Sequence, residues 1–415
     1  MRHIAIIGSG PAGCYLADSL LRALPDASID ILERLPVPFG LVRYGVAPDH
    51  QGTKAVARVL DRVLSRERAG FFGNVEAGRD VTLAELAQLY DAIALASGAS
   101  CDRRLGIPGE TLSGVLGSGA FTGWYNGHPA RAAPPVRDVR SAVIIGNGNV
   151  AIDVARILAK SEAELTGSDL SPEVMAWLAA QPLEAIHIVG RRSAADAKFT
   201  DHELAELGTL QRAKPVVNDP GGLLGETAVV QALRGFAADQ RATPVSIHFH
   251  FNLTPTAFLG DDGLRAVQFR AAGGGTTELP AQFAVTCIGY ETPACCTAAP
   301  SGGVFLNDEG RISPGLYVVG WAKRGPSGTI PTNRTEAQQV AQKIAQEVED
   351  GGRAGGAGLR RLLEEKCVAW ADYAAWRRID AAELSRAGAQ HCREKFRTVA
   401  EMLTAGTISK PAGVW

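Results

Sequence analysis

The chain has 415 residues, with 46% hydrophobic and 21% charged side chains and a formal net charge of −2. That length exceeds one ordinary core and predicts two or three domains. The composition is that of a soluble globular protein, and the near-zero charge supplies no global pull toward nucleic acid. Seven scattered cysteines (Cys14, Cys101, Cys287, Cys295, Cys296, Cys367 and Cys392) fit no disulfide framework. They contain no Cys-x-x-Cys to hold zinc or form a dithiol centre. The adjacent Cys295-Cys296 reads as two ordinary thiols rather than a vicinal disulfide. A strand begins almost at the first residue, so no signal peptide is expected. No apolar run reaches membrane-spanning length, and a cytoplasmic location is expected.

The apolar run Ile4-Ala5-Ile6-Ile7 leads directly into Gly8-Ser9-Gly10-Pro11-Ala12-Gly13. This Gly-x-Gly-x-x-Gly precedes a helix-compatible segment and a second apolar run, Ile29-Asp30-Ile31-Leu32, that ends at Glu33. The pattern predicts a dinucleotide-binding strand–turn–helix–strand. Gly8 permits the tight turn, Gly10 lets backbone approach a pyrophosphate, and Gly13 lets the helix pack close to the strand. Phosphates would sit at the helix N-terminus, and Glu33 would accept hydrogen bonds from a ribose. The stretch alone leaves open which dinucleotide it holds.

Residues 36–50 carry too many prolines and glycines for a regular helix or central strand and read as a long ordered loop. A helix of period 3.6 follows over 56–64, then a short strand over 71–75. Thr82 and Glu85 have the spacing of a capping box. Residues 90–99 form a buried strand ending at Gly98, 101–110 a connection to a new domain, and 124–135 a loop.

The opening pattern then recurs. Ala142-Val143-Ile144-Ile145 leads into Gly146-Asn147-Gly148-Asn149-Val150-Ala151, the Gly-x-Gly-x-x-Ala variant. The next strand, 185–189, ends in Gly190-Arg191-Arg192 rather than an acid. Guanidinium groups bind a 2′-phosphate through charge-assisted bonds that a carboxylate would oppose, so the second site favours NADP over NAD. Residues 160–182 read as an insertion with a helix near 174–180, and 199–206 as a capped helix start. Residues 245–251 alternate and are expected to pair antiparallel with 266–270. A buried strand over 284–290 closes this unit. Residues 316–320 form a strand entering the glycine-rich 321–330 loop, with a helix from about 335 to 349. Residues 350–358 read as a flexible linker. The basic and aromatic helical turns of 359–403 read as a solvated amphipathic surface.

Pro38-Phe39-Gly40-Leu41-Val42-Arg43-Tyr44-Gly45-Val46-Ala47-Pro48-Asp49-His50, Gly146 to Leu158, Gly190-Arg191-Arg192 and Gly320-Trp321-Ala322-Lys323-Arg324-Gly325-Pro326-Ser327-Gly328-Thr329-Ile330 together resemble the adrenodoxin reductase type of ferredoxin–NADP reductase. The resemblance spans 3–340, thins through 209–283, which looks shorter than in typical members, and loosens in the tail. It implies an α/β fold of two Rossmann-like nucleotide-binding domains. An NADP domain, 105–287, would be inserted into a discontinuous FAD domain made of 1–104 and of 288–415, the latter with a C-terminal helical tail. It implies that Gly8, Ser9, Gly10, Ala12, Gly13, Glu33, Leu41, Val81, Trp321, Gly328, Thr329 and Ile330 line FAD. Asn147, Gly148, Asn149, Val150, Arg191, Arg192 and Glu203 would hold NADP(H), with Arg103 and Gly328 near it. His50 and Glu206 match catalytic positions near the flavin, tied to proton handling and domain coupling. The residue-level alternative for His50 is a loop histidine capping a backbone turn.

The resemblance implies a monomeric enzyme that passes electrons from NADPH through FAD to a ferredoxin-type iron–sulfur protein, feeding a P450 or oxygenase. The flavin converts a two-electron donor to one-electron steps. Lys198, Arg212, Lys214, Arg234 and Arg241 are candidates for a basic ferredoxin-facing patch. The alternatives are direct reduction of a quinone or other small oxidant, and a non-catalytic flavoprotein.

Overall fold

The computed structural model describes residues 1–218, 223, 225–295 and 300–408. Cys296 lies outside them. Two six-stranded sheets organise the molecule. The first runs, in spatial order, Arg311–Ser313, Leu316–Val318, Ala92–Leu95, Arg2–Ile7, Ala27–Glu33 and Ala69–Gly73. All its pairings are parallel except the one between Arg311–Ser313 and Leu316–Val318. The second sheet is wholly parallel and runs Val115–Gly117, Phe283–Thr286, Ser141–Ile145, Ala185–Val189, Val245–His250 and Ala213–Val217. The first sheet draws strands from both ends of the chain, and the second from the residues between them.

Apolar runs such as Ile4 to Ile7 are buried because helices cover both faces of such a sheet. On the second sheet, Ile144, Ile186, Ile188, Ile247 and Phe249 face a helix-side core. Val143, Ile145, Val189 and Ala284 pack instead beneath a three-stranded antiparallel sheet, Leu253–Gly260, Leu264–Ala271 and Thr276–Pro280. A two-stranded antiparallel ribbon, Cys101–Asp102 with Tyr290–Glu291, links the two halves. Asp102 also caps the helix Ser118–Tyr125, accepting from the Gly119 N–H at 2.7 Å and the Ala120 N–H at 3.1 Å.

Several sequence expectations are corrected. Residues 245–251 do not pair with 266–270. They lie parallel between Ala185–Val189 and Ala213–Val217, and 264–271 pairs with its own neighbours. Alternation alone carries no partner information. The 36–50 loop contains a helical turn, Leu41–Tyr44, and Trp124 and Tyr125 end a helix rather than open a loop. The helix expected from 335 begins at Ile330, with Thr329 as its N-cap. The glycines near 355 are not a flexible linker. A Cβ on Gly355 would lie 2.1 Å from the His3 ring, and one on Gly356 2.7 Å from the Asp30 carboxylate. They open a helix, Gly355–Glu365, because only glycine permits that approach.

The tail is likewise no solvated surface. Trp376 is buried, donates to Asp61 at 3.0 Å and meets Phe39 edge-on with ring centres 5.6 Å apart. Glu383 is fully buried. It accepts from Arg43 at 2.5 Å, Arg393 at 2.9 Å and the Phe396 N–H at 3.1 Å. Further on, Lys395 and Lys54 share the buried Asp169 carboxylate, at 2.6 and 3.1 Å. Burial, together with the Lys54 ammonium, outweighs the attraction of Asp169 and pushes Lys395 down to about 7. Above pH 7 the unfolded chain, with its ordinary lysine value of 10.5, binds more protons at this group than the folded one. Stability from this residue therefore rises with pH between 7 and 10.5. Denaturation midpoints measured from pH 7 to 9 should climb less steeply in Lys395→Met than in the parent chain; parallel slopes would refute the assignment.

Candidate functional site

The first glycine turn has the geometry its spacing predicts. Gly8 has φ +112°, and a Cβ there would lie 2.4 Å from the Ala96 carbonyl. A Cβ on Gly13 would lie 2.0 Å from the Gly8 carbonyl, so strand and helix touch backbone to backbone. A Cβ on Gly10 would meet nothing within 4 Å. Its surroundings are open, at the N-terminus of the helix Pro11–Ala23. Glu33 ends the next strand and accepts from the Ser9 N–H at 3.1 Å and the Ser9 hydroxyl at 2.7 Å, so the acid braces the turn as well. Gly40 approaches Gly10 from the loop, and Leu41 beside it is 43% exposed.

The chain's far end returns to this turn. A Cβ on Gly320 would lie 2.5 Å from Ala12 Cβ. Trp321 follows, its indole N–H donating to Ser327 O at 3.1 Å, and its ring stacks on Tyr290 at 6.0 Å and 18°. Gly328 has φ +79°, and Thr329 and Ile330 open the helix that packs along Pro11–Ala23. Val81 is fully buried among Ile7, Leu32 and Val75.

The second turn repeats the design. Gly146 has φ +142° with the Cys287 carbonyl 2.2 Å from where its Cβ would be, whereas Gly148 faces open space. Asn149 Oδ1 accepts from the Thr200 N–H at 2.8 Å, tying the turn to the helix Asp201–Leu207. Asn147 Oδ1 is buried without a hydrogen-bond partner. Val150 packs partly buried against the helix-side core. Arg191 and Arg192 are exposed just beyond the strand Ala185–Val189. Arg103 sits beside the linking ribbon, its guanidinium 3.8 Å from Glu291 and its N–H on Gly289 O at 3.1 Å.

His50 and Glu206, 156 residues apart, meet at 3.0 Å between His50 Nε2 and Glu206 Oε2. His50 is the N-cap residue of a short helix, but its side chain makes no capping bond, which removes the turn-capping alternative. Glu203 and Asp153 approach the same imidazole at 4.0 and 3.9 Å. Sequence reasoning gave no role to the residue that binds this cluster, Arg156. It is 1% exposed and reaches Asp49 at 2.5 Å, Glu206 at 3.2 Å and Asp153. Lys160 adds a bond to Asp49 at 2.7 Å. Burial pushes the Asp153 and Glu203 carboxyls up. Burial opposes ionisation of Asp49 as well, but Arg156 and Lys160 outweigh it and hold Asp49 below the usual range. Asp153 and Arg156, three apart on one helix face, were the available signal. Tyr290 was also missed; its ring lies beneath Trp321 and its hydroxyl bonds Ser118 at 3.1 Å.

The anticipated basic patch is mostly engaged elsewhere. Arg234 bonds Glu226 and the Leu223 and Gly225 carbonyls. Arg241 bonds Asp239 and the Leu210 and Gly208 carbonyls. Arg212 reaches the Lys160 carbonyl.

Comparison with known proteins agrees with this frame. Residues 2–206 match the pyridine nucleotide-disulphide oxidoreductase family model. The mitochondrial NADPH:adrenodoxin oxidoreductase of Arabidopsis thaliana is 35% identical over 97% of this chain and 95% of its own. Cindoxin reductase of Citrobacter braakii is 39% identical over 96% and 90%. The chain belongs to the adrenodoxin reductase family. The solved structure of Mycobacterium tuberculosis FprA in complex with NADPH superposes with a TM-score of 0.91, at 34% identity, covering 98% of this chain and 100% of that one. As in the sequence reading, this family member is an α/β protein with parallel sheets. Among its described residues no helix is long and apolar enough to cross a membrane.

The two glycines of the first turn separate folding from ligand binding. Gly10→Ala should leave unfolding of the nucleotide-free chain unchanged, since its backbone (φ −66°) suits alanine, but weaken nucleotide retention. Gly13→Ala should destabilise the nucleotide-free chain by about 2 kcal/mol or more, through its collision with Gly8. Paired thermal melts and bound-nucleotide absorbance distinguish the two; equal destabilisation would contradict this division.

Proposed function

We propose that this protein is an FAD-dependent ferredoxin–NADP reductase that moves electrons from NADPH to a ferredoxin-type iron–sulfur protein. The observation that carries the reading is the pair of open glycine turns, one closed by Glu33 and the other followed by Arg191-Arg192. The residues present fit both cofactors. Gly10 and Gly148 leave backbone N–H groups at two helix N-termini free of side-chain obstruction, which suits pyrophosphates. Asn147 Oδ1 is a buried acceptor awaiting a donor. FAD belongs to the first turn, with Gly8, Ser9, Ala12, Gly13, Glu33, Leu41, Val81, Trp321, Gly328, Thr329 and Ile330 around it. NADP(H) belongs to the second, with Asn147, Asn149, Val150, Glu203 and Arg103, and with Arg191 and Arg192 on the 2′-phosphate. In these terms 105–287 is the NADP domain, flanked by the two parts of the FAD domain.

Bound FAD would supply the exchange between a hydride donor and one-electron acceptors. The chain's own groups position and hold. Glu33 fixes the first turn, and Asn149 fixes the second against the helix carrying Glu203 and Glu206. His50 Nε2 and Glu206 hold a proton between them, within a cluster whose net charge Arg156 and Lys160 moderate. We take the enzyme to act as a cytoplasmic monomer, and its ferredoxin to serve a P450 or oxygenase.

NADPH-driven cytochrome c reduction should rise several-fold when a ferredoxin is added. Unchanged rates with ferredoxins, alongside rapid quinone reduction, would overturn the partner assignment. Arg191→Ala/Arg192→Ala should raise KM for NADPH about 10- to 100-fold, as expected for lost charge-assisted bonds, and leave KM for NADH nearly unchanged. Equal effects on both would remove the 2′-phosphate role.

A further inference from the structure

The cluster that meets at His50 has a property its proton-holding role does not use. Its donors come from both nucleotide units. His50 closes the loop of the first, and Glu203 and Glu206 lie three apart on the helix Asp201–Leu207 of the second. Residues three apart share one face of a helix, so both carboxylates face the imidazole. One donor atom from each, an imidazole nitrogen and two carboxylate oxygens, lies within 4.8 Å of the others. Among the described residues no other three histidine, cysteine or acidic side chains converge in this way. His187, His248 and His250, on one face of the second sheet, do not; the rings of His187 and His248 lie stacked at 24°.

The distances are those of a ligand set one short movement from closure. Around a zinc-class ion, nitrogen at about 2.0–2.1 Å and oxygen at about 2.0–2.2 Å bring neighbouring donors to about 3.0–3.5 Å from each other. His50 Nε2 and Glu206 Oε2 already stand 3.0 Å apart. Glu203 Oε2 is 4.0 Å from the same nitrogen. That oxygen is buried and has no hydrogen-bond partner, so none is broken when it swings inward. A buried acceptor left unsatisfied is costly, and an ion at this point would satisfy it.

The surroundings supply the outer shell. Metal-bound imidazoles turn their other nitrogen to a carboxylate, and here Asp153 Oδ1 faces His50 Nδ1 at 3.9 Å. Metal-bound carboxylates keep a hydrogen-bond donor behind them, and Arg156 Nε lies 3.2 Å from Glu206 Oε2. The Arg156 charge repels an ion, but its other bonds run to Asp49 and Asp153, which share that charge. The carboxylates of Asp49, Asp153, Glu203 and Glu206 outnumber the cations Arg156 and Lys160 around this point.

We propose that His50, Glu203 and Glu206 form a binding site for a divalent ion of the zinc class, with water in the fourth position, and that filling it stops the reductase. The inhibition rests on the reading above, in which His50 and Glu206 hold a proton and Glu203 belongs to NADP(H); the binding does not. An ion on His50 Nε2 takes the place of that proton and ties the loop of the first unit to a helix of the second. The imidazole nitrogen selects zinc or cobalt over magnesium and calcium, which take oxygen ligands.

The test is titration of the FAD-loaded full chain with Zn(II) at neutral pH, read by competition with a chromogenic zinc indicator, and with Co(II), read by its d–d absorption. One equivalent should bind. His50→Gln and Glu203→Gln should each weaken binding at least about tenfold, the scale on which even outer-shell losses act. His187→Gln/His250→Gln should leave it unchanged. X-ray absorption at the zinc edge of the parent protein needs no variant to fold, and should show one imidazole among oxygen neighbours. Flavin bleaching by NADPH should slow at least about tenfold once zinc is bound, as expected for a blocked proton-transfer group, and recover with EDTA. No zinc binding, unchanged binding in the His50 and Glu203 variants, loss in the His187/His250 variant instead, or a shell without imidazole would each overturn the site. Zinc bound at these residues with undiminished bleaching would overturn the inhibition. Zinc bound there in a protein that serves no ferredoxin would support the site and count against the reductase reading alone.

Discussion

Arg156 is the point on which the two halves of this molecule depend. Its guanidinium is buried, and it meets carboxylates from three sources: Asp49 on the loop of the first nucleotide unit, Asp153 on its own helix, and Glu206 on the next helix of the second unit. A guanidinium presents five donors in a fixed fork, so it can satisfy several oxygens at once, where an ammonium would act as one point charge. Removing such a partner from a buried cluster typically costs about 3–5 kcal/mol, because the remaining charges stay buried without compensation. Here the remainder would be the carboxylates of Asp49, Asp153, Glu203 and Glu206, with Lys160 on Asp49 and the His50 imidazole on Glu206 left beside them. That side chain ties the loop of the first nucleotide unit to two helices of the second.

The tail adds a second tie at another place. Lys54 from the first unit, Asp169 from the insertion in the second, and Lys395 from the tail make one buried cluster. Backbone bonds reinforce it, from the Gly167 N–H to Gln390 O at 2.7 Å and from the Cys392 N–H to Ser168 O at 3.1 Å. Residues read from sequence as a solvated surface therefore strap the insertion to the first sheet. Burial first, and then the second cation on the same carboxylate, leave the Lys395 proton loosely held. Arg43 and Arg393 repeat the motif on Glu383, where Asp380 also bonds Arg393 at 2.7 Å.

What was legible in the sequence was whatever local covalent order decides. Gly8, Gly13 and Gly146 are needed where backbone meets backbone, and that requirement is written within a few residues. Thr82 with Glu85 is a cap for the same reason. What was not legible depends on distant partners. Arg43 and Glu383 are 340 residues apart, and nothing in either neighbourhood names the other. Residues 245–251 had the right period and the wrong partner, because period reports burial and says nothing of parallel or antiparallel neighbours. Gly355 and Gly356 looked like flexibility because glycine serves both freedom and close approach, and only His3 and Asp30, far away in sequence, decide between them.

The histidine face shows where this division has chemical consequences. In a parallel sheet covered on both sides, each strand should read as a continuous apolar run. Ala185–Val189 and Val245–His250 keep that rule on the helix side, with Ile186, Ile188, Ile247 and Phe249, and break it on the other with imidazoles. Desolvating three rings costs free energy that Val or Ile at the same positions would not incur. The hydrogen bonds among His187, His250, Asn218 and His248 return part of that cost, and burial still lowers the proton affinity of all three rings.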